Sequence, residues 1–159
     1  MTAKIITIVT VTKNCETTIE DTLNSIESIK SDNIEYIVID GLSTDKTLKI
    51  IRSKIRIVDK LISESDTGIY NAMNKGIKIS KGEYIVFLNG DDLFNTENFG
   101  SLLKILETKK HDIICGRTQV ISNTNKEVIL KPEPWKLLFF NSIPHPSSFV
   151  RRKIFKKYI

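Results

Sequence analysis

The sequence predicts an α/β fold with a mostly parallel central sheet flanked by helices. Short apolar runs typical of buried strands recur along the chain, and helical patterns of apolar residues separate them. This alternation is typical of a parallel sheet, because each helix returns the chain to the edge where the next strand begins. The predicted strands are Ile5–Val11, Glu35–Ile39, Asp59–Ile62, Tyr84–Leu88 and Asp112–Cys115.

Each predicted helix is marked by apolar spacing and a capping residue. Thr17 and Glu20 have the spacing of a capping box ahead of the first helix. Ser43 is predicted to cap the second helix and Thr67 the third, because a hydroxyl can accept a hydrogen bond from the first free amides. A fourth helix is predicted over residues 98–108. The predicted buried faces are Ile19, Leu23, Ile26 and Ile29; Leu48, Ile51 and Ile55; and Ile69, Met73, Gly76 and Ile77.

The βα alternation ends after Arg117. Two short runs, Thr118–Ile121 and Glu127–Leu130, are predicted to form a hairpin around a polar turn. They are followed by a proline-rich connector at residues 131–134, an apolar helix or cover segment at Trp135–Phe140, and a last strand at Ser147–Val150.

Length and composition favour one compact domain over residues 1–159. Apolar residues make up 40% of the chain, and a domain of this size buries roughly 70% of its unfolded surface. The first apolar run lacks the cleavage pattern of a signal peptide, and nothing approaches the ~20 apolar residues of a membrane span. We therefore expect a soluble, cytoplasmic protein. Cys15 and Cys115 lack metal-ligand spacing and are expected to be reduced thiols.

The net charge of +5 is concentrated near the end of the sequence. Such a basic run is usually a solvated helix face, but it also suits peripheral contact with anionic lipid at the inner face of a membrane. Both interpretations stay open. The residues concerned are Arg151, Arg152, Lys153, Lys156 and Lys157.

Polar residues follow four of the predicted strands. In open α/β sheets, ligands bind in the crevice beyond the carboxyl ends of the strands, so these residues are the candidates for a site. Three separate strand ends are expected to bring carboxylates to one crevice. The residues are Thr12, Lys13 and Asn14; Asp40 and Gly41; Glu64, Ser65 and Asp66; and Asn89, Gly90, Asp91 and Asp92.

The adjacent pair Asp91-Asp92 is the strongest of these signals. A single aspartate after a strand often caps a helix or forms a turn, whereas two adjacent carboxylates repel each other unless a cation or donor relieves them. Oxygen ligands of this kind suit Mg²⁺ or Mn²⁺, which complete their coordination with water and phosphate. The chain has neither a G-x-G-x-x-G fingerprint nor a P-loop, which argues against dinucleotide dehydrogenases and P-loop enzymes.

Four stretches resemble the family-2 glycosyltransferases of the GT-A fold, inverting enzymes that use nucleotide-sugar donors. The third stretch is similar to the subgroup that builds bacterial surface polysaccharides. The resemblance implies a GT-A fold, a UDP- or GDP-linked sugar donor, Mg²⁺ or Mn²⁺, and a glycan or lipid-linked acceptor, with no role for nucleic acid. The stretches are IVTVTKN (8–14), VIDGLSTDKT (38–47), SESDTGIYNAMNKG (63–76) and GEYIVFLNGDD (82–92).

Carried over position by position, the resemblance implies a nucleotide pocket followed by a metal end. Asn89 and Gly41 depart from the family pattern, since many members have aspartate at both positions. These departures leave open which acid binds the metal and how the base is recognised. The implied donor-binding residues are Thr10, Thr12, Asn14, Asp40, Asp66, Asn74, Lys75, Asp91 and His145, and the implied metal ligands are Asp92 and Asp91.

The expected general base is missing from the sequence. Inversion needs a base to deprotonate the acceptor hydroxyl, and family members take it from a segment beyond the histidine region. No acidic residue follows Glu133. We therefore expect a nucleotide-binding part over residues 1–117, an incomplete acceptor-side part over 118–159, and a base beyond Ile159. Whether this fragment turns over stays open.

Two other functions stay open beside the glycosyltransferase. A nucleotidyltransferase would share the general architecture, but would be expected to have a basic, glycine-rich loop where this chain has Thr12-Lys13-Asn14-Cys15. A non-catalytic nucleotide-binding or membrane-docking module would suit the missing base and the basic end of the sequence.

Overall fold

The structure is a computed structural model that describes residues 4–108, 111–121, 126–133 and 143–155. Strands and helices alternate along its first part, as the sequence predicts. The strands are β1 (Ile6–Thr12), β2 (Ile34–Asp40), β3 (Lys60–Ser63), β4 (Tyr84–Asn89), β5 (Ile113–Cys115), β6 (Thr118–Ile121), β7 (Glu127–Leu130) and β8 (Ser148–Arg151). The helices are α1 (Ile19–Glu27), α2 (Thr47–Ser53), α3 (Ile69–Ile79), α4 (Phe99–Thr108) and α5 (Arg152–Phe155), with 3-10 turns at Ile55–Ile57 and His145–Ser147.

The central sheet has six strands in the order β3-β2-β1-β4-β8-β5. The first four strands of the chain run parallel to one another, and β8 is antiparallel to both of its neighbours. β1 lies between β2 and β4, so its carboxyl end is flanked by theirs. The predicted α/β class with a mostly parallel sheet is confirmed.

The core forms two layers, one on each face of the sheet. Successive side chains of a strand point to opposite faces, so Ile6 and Ile8 of β1 pack in the layer with α1, whereas Val9 and Val11 pack in the layer with α3. Every residue of β1 and β2 is buried. Long apolar runs in these two strands follow from this burial on both faces.

The three predicted helix caps are wrong. α1 is preceded by Thr18 rather than Thr17, and Thr18 makes no capping bond. α2 begins four residues after Ser43, and Asp45 accepts the Thr47 amide at 2.9 Å. α3 follows Gly68, whose φ of 133° favours glycine, rather than Thr67. The hydroxyls of Thr18 and Ser43 have other partners, since Thr18 donates to the Gly90 carbonyl and Ser43 donates to Asp40 and accepts the Asn14 amide.

The predicted buried face of α1 is correct, whereas those of α2 and α3 are correct only in part, since Leu48 and Ile77 are half-buried. Ile55 and Ile69 are each 49% exposed, whereas Ala72 takes the buried place beside Met73 and Gly76 on α3. Ile69 is the first residue of α3 and lines a cleft at the end of the sheet.

The last part of the chain agrees with the prediction where it is described. β6 and β7 form the predicted hairpin, and the last strand begins one residue later than predicted. The Trp135–Phe140 segment, Lys156 and Lys157 lie outside the described residues. Within the described ranges, no helix is long and apolar enough to cross a membrane. The division of the chain at residues 117 and 118 stays a prediction.

Alkaline pH is expected to unfold the chain partly through Tyr36. Tyr36 is fully buried, its hydroxyl donates to Thr10 Oγ1 at 3.0 Å, and burial raises its pKa from 10.0 to about 12. The unfolded chain loses the Tyr36 proton at a lower pH than the folded chain does. The contribution of protonated Tyr36 to the unfolding free energy is therefore fully present below pH 10.0 and is lost as the pH rises to about 12. A shift of this size corresponds to about 3 kcal/mol of unfolding free energy.

Urea unfolding of wild type and Tyr36→Phe across this alkaline range measures the effect. The variant lacks the ionisable hydroxyl, so its unfolding free energy should fall less steeply with pH. Equal slopes in the two proteins would contradict the assignment.

Candidate functional site

A cleft lies at the carboxyl ends of β1 and β4, beside the start of α3. It encloses a cavity of about 520 Å³, within the size range of ligand pockets. β2 and β4 flank β1 and run parallel to it, so the carboxyl ends of all three strands lie at this edge of the sheet. The cavity is lined by Val11, Thr12, Lys13, Cys15, Asp66, Gly68, Ile69, Ala72, Asn89, Gly90 and Asp91.

Thr12 lines this cleft, and its side chain carries a buried hydroxyl without a partner among the described residues. Gly90 lies directly against it, because a Cβ at Gly90 would stand 2.6 Å from Thr12 Oγ1. An unsatisfied buried hydroxyl costs about 1–3 kcal/mol, so a polar group bound in the cleft would gain from meeting it.

Asp91 and Asp92 occupy different surroundings. Asp91 is exposed and lines the cavity. Asp92 is half-buried, and its Oδ2 accepts the Asn89 side-chain amide at 2.9 Å and the Asn89 main-chain amide at 3.3 Å. The hydrogen bonds from Asn89 thus hold one oxygen of Asp92 at the end of β4.

Burial raises the pKa of Asp92, and the charge of Asp91 raises it further, although the Asn89 bonds lower it. The folded state therefore disfavours the ionised carboxyl, and its stability falls as the pH rises through this pKa. A cation between the two carboxylates would relieve that repulsion.

These two carboxylates fit Mg²⁺ or Mn²⁺ bound together with a ligand phosphate. The described ranges contain no group of three or more His, Cys, Asp or Glu side chains that could hold a metal. Mg²⁺ is usually bound through one or two carboxylates plus substrate phosphates and water. Asp91 on the lining of the cleft, together with Asp92 beside it in the sequence, offers carboxylate oxygens of this kind.

Asp66 stands where the missing second aspartate of the family pattern would project. A Cβ at Gly41 would lie 2.6 Å from Asp66 Oδ2 and 3.4 Å from Lys13 Cδ. The Gly68 amide donates to Asp66 Oδ1 at 3.0 Å, which fixes the carboxylate ahead of α3. The glycine at position 41 therefore makes room for Asp66 and Lys13 at this side of the cleft.

Asp40 and Asn14 hold loops together behind the cleft and do not line it. Asp40 is fully buried and accepts the Ser43 amide at 3.1 Å and the Ser63 hydroxyl at 2.7 Å. Asn14 Oδ1 accepts the Thr44 amide at 2.8 Å. Both residues fix the turn after β2 in place beside the end of β1.

The remaining implied residues are spread around the cleft. Thr10 lies inside the sheet, is fully buried and does not reach the cavity. Asn74 is exposed on α3. Lys75 bonds to Glu64 Oε1 at 3.0 Å and to the Ser65 carbonyl at 2.6 Å, so it braces the loop that carries Asp66.

His145 lies in a second, neighbouring cavity. It is exposed and lines a space of about 270 Å³ with Tyr70, Met73, Phe87 and Pro146. Ile69 and Asn89 line both cavities. The cavity that contains His145 therefore adjoins the main cleft at these two residues.

Lys13 and Asn89 contribute to the site although the sequence interpretation did not assign them a role. Lys13 lines the cleft, and its amine has no ion-pair or hydrogen-bond partner within the described part of the chain. Its position directly after β1 was the available signal. Asn89 lies three residues before Asp92 and donates hydrogen bonds to its carboxylate. In the sequence, Asn89 is recognisable only as a departure within the acidic motif and not as a residue that holds Asp92 in place.

Comparison with known proteins agrees with this geometry. The family model described as "Glycosyl transferase family 2" matches residues 7–158. The chain belongs to this glycosyltransferase family. The predicted resemblance is thereby confirmed.

Two glycosyltransferases illustrate the family relationship. A PGL/p-HBAD biosynthesis glycosyltransferase of Mycobacterium bovis is 29% identical over 160 residues, which cover 98% of this chain and 62% of that protein. The glucosyltransferase WfaP of Escherichia coli, named for UDP-Glc and α-D-GlcNAc-diphosphoundecaprenol, is 35% identical over 109 residues, 67% of this chain and 43% of its own. The chain thus spans less than two thirds of each relative.

A solved structure with the same fold contains both nucleotide sugar and metal. The mannosyltransferase PcManGT of Pyrobaculum calidifontis, in complex with GDP-Man and Mn²⁺, matches with a TM-score of 0.67 at 17% identity. The match covers 99% of this chain and 47% of that one. At this identity the likeness establishes the GT-A fold alone.

Proposed function

We propose that this glycosyltransferase domain binds a nucleotide-sugar donor through a divalent metal and serves an inverting enzyme that extends a cell-surface glycan. The observation that most strongly supports this proposal is the cleft at the carboxyl ends of β1 and β4. Asp91, Thr12 and Lys13 line this cleft, and Asp92 lies next to Asp91, held by Asn89. Acidic, basic and hydroxyl groups that suit a metal-bound nucleoside diphosphate therefore lie in or beside one cavity.

The residues of the cleft divide into a metal end and a nucleoside end. Asp91 and Asp92 would hold Mg²⁺ or Mn²⁺, which when bound neutralises the charge that develops on the departing diphosphate. Asp66 lies on the other side, above Gly41, where its acceptor oxygens can bind the base or ribose. Lys13 also lines the cleft, close to Gly41, and its charge suits the diphosphate or the face of the base.

The general base is proposed to come from outside residues 1–159. The acidic side chains lining the main cavity are Asp66 and Asp91, and donor binding uses both. His145 remains a residue near the sugar or acceptor, because its cavity adjoins the cleft and contains the exposed ring of Tyr70. Exposed aromatic rings beside polar groups suit sugar faces, which carry C–H as well as hydroxyl groups.

The relatives support a surface-glycan acceptor. WfaP is named for a UDP-linked donor and a lipid diphosphate-linked acceptor, and the mycobacterial relative is named for PGL biosynthesis. A UDP- or GDP-linked donor and a glycan or lipid-linked acceptor are accordingly proposed for the enzyme to which this domain belongs. A cytoplasmic location would give it access to nucleotide sugars.

The membrane-docking alternative is less well supported by the basic residues that are described. Arg151 bonds to Glu83 at 2.7 Å, Lys153 bonds to Asp112 at 2.7 Å, and Arg152 donates to the Gly82 carbonyl at 3.0 Å. These side chains tie β8 and α5 to the sheet. Their charges are partly used within the fold, which weakens their attraction to a lipid surface.

Calorimetric titration of UDP and GDP with and without Mn²⁺ tests the proposed donor site. One of the two nucleotides is expected to bind only when Mn²⁺ is present, because the acidic pair repels a diphosphate without a bridging cation. Absence of binding to both nucleotides in Mn²⁺ would contradict the donor-site assignment. A measurement of sugar transfer then separates an enzyme from a nucleotide-binding module.

A further inference from the structure

Three hydroxyl side chains along one side of α1 bond to the loop that carries the acidic pair. Thr18 donates to the Gly90 carbonyl at 2.8 Å, and Thr22 donates to the Asp92 carbonyl at 2.9 Å. Ser25 accepts the Phe94 amide at 3.1 Å. Residues four and three positions apart lie on one helix face, so these hydroxyls form a row aligned with the loop.

The loop from Gly90 to Phe94 has few other main-chain bonds to the described residues. It lies outside the strands and helices, and those bonds run from Gly90 to Val11 at 3.1 Å and from Asp92 to Asn89 at 3.1 Å. Backbone groups of a partly buried loop need partners. The hydroxyl row supplies them, and it fixes the path of the chain on both sides of Asp91 and Asp92.

We propose that Thr22 is a positioning residue for the acidic pair. This inference rests on the proposed function, in which the pair holds the metal of a nucleotide-bound complex. Thr22 is fully buried and bonds to the main chain of Asp92, while Asn89 fixes its carboxylate. Backbone and side chain of Asp92 are therefore held by different elements, α1 and β4, before any cation is bound.

The physical advantage is preorganisation. A flexible loop would lose conformational freedom when metal and diphosphate bind, and that loss would weaken binding. Hydrogen bonds from α1 order the loop in advance. Removal of a residue that hydrogen-bonds to a metal ligand typically lowers metal affinity by about 10–100-fold.

Thr22→Val tests this proposal because it keeps the shape of the side chain and removes its hydroxyl. In Mn²⁺, the dissociation constant of the nucleotide that wild type binds is expected to rise about tenfold or more. Thr22→Ser should restore it. In the metal-free protein, hydrogen exchange of the Asp92 and Phe94 amides should speed up in Thr22→Val, while the amides of β1 stay protected.

Thr7→Val is the matched control. Thr7 is equally buried on β1, and its hydroxyl bonds to Glu35 Oε2 at 2.6 Å and to the Gly82 amide at 2.8 Å, at the opposite edge of the sheet. Its loss should lower stability without changing metal-dependent binding. Equal losses of binding in both variants would assign the effect to general stability and overturn the proposal.

The outcomes separate this inference from the proposed function. Lack of Mn²⁺-dependent nucleotide binding in wild type would contradict the function itself. Wild-type affinity in Thr22→Val would overturn the positioning role while leaving the function intact. If Thr22→Val does not fold, Ser25→Ala gives the same comparison, because Ser25 is only half-buried and its loss removes the acceptor of the Phe94 amide.

Discussion

Asp92→Ala is expected to abolish metal-dependent nucleotide binding while leaving the fold intact. The carboxylates of Asp92 and Asp91 are the acids that the described residues place directly after β4, at the proposed metal end of the cleft. Removal of a metal ligand should raise the nucleotide dissociation constant in Mn²⁺ by at least about 100-fold. Loss of a residue that only hydrogen-bonds to a metal ligand already lowers metal affinity by about 10–100-fold. The fold should stay intact, because burial and the charge of Asp91 already oppose ionisation of Asp92, and their removal offsets the loss of its hydrogen bonds from Asn89.

Calorimetric titration in Mn²⁺ measures this effect, with circular dichroism as the test of folding. Asp32→Ala is the matched control, since Asp32 is exposed ahead of β2, at the other edge of the sheet, and its loss changes the net charge equally. Asp91→Ala, at the exposed member of the pair, should also weaken binding. Unchanged nucleotide affinity in Asp92→Ala would remove the metal-site assignment.

The fold was largely predictable because burial on both faces leaves a clear mark on the sequence. β1, β2 and β4 are long apolar runs, and their predicted limits differ from the observed ones by one residue at most. The helix starts were not predictable in the same way. The hydroxyl of Thr18 bonds to Gly90, 72 positions away, and a local cap pattern contains no information about such a partner.

The location of the candidate site could be predicted from the sequence, but the role of each residue in it could not. Ligand binding beyond the strand ends is a property of the parallel sheet, so Thr12, Asp66 and Asp91 were found from their positions alone. Asp40 occupies a similar position as the last residue of β2, yet it is fully buried and accepts hydrogen bonds from Ser43 and Ser63. Which aspartate turns inward depends on the loops packed above it, and the order of residues does not specify that packing.

Gly82→Ala is expected to be among the most destabilising single substitutions in the chain. A Cβ at Gly82 would stand 2.4 Å from the Thr7 amide nitrogen and 2.6 Å from the Ile6 carbonyl carbon. Both are main-chain atoms of β1, which is held between β2 and β4. A flexible side chain could move aside, but the central strand can shift only by breaking ladder bonds on both sides.

We expect this substitution to lower the free energy of unfolding by at least about 3 kcal/mol, the upper end of what overpacking usually costs. The free energy of unfolding of such domains is only about 5–15 kcal/mol, so this loss is a large fraction of the total stability. The Gly82 amide also donates to Thr7 Oγ1 at 2.8 Å and its carbonyl accepts from Arg152 at 3.0 Å. A displaced Gly82 would therefore loosen the attachment of α5 as well.

Gly100→Ala makes the same chemical change where the structure leaves room for it. Gly100 is exposed in α4, and a Cβ there meets no atom within 4 Å. Alanine in a helix is favoured over glycine by roughly 0.5–1 kcal/mol, so this variant should be more stable than wild type. Urea unfolding should thus move the midpoint in opposite directions for the two variants. A midpoint for Gly82→Ala at or above that of wild type would mean that β1 and the turn before β4 are not packed this closely, and the path of the chain into the acidic loop would need revision.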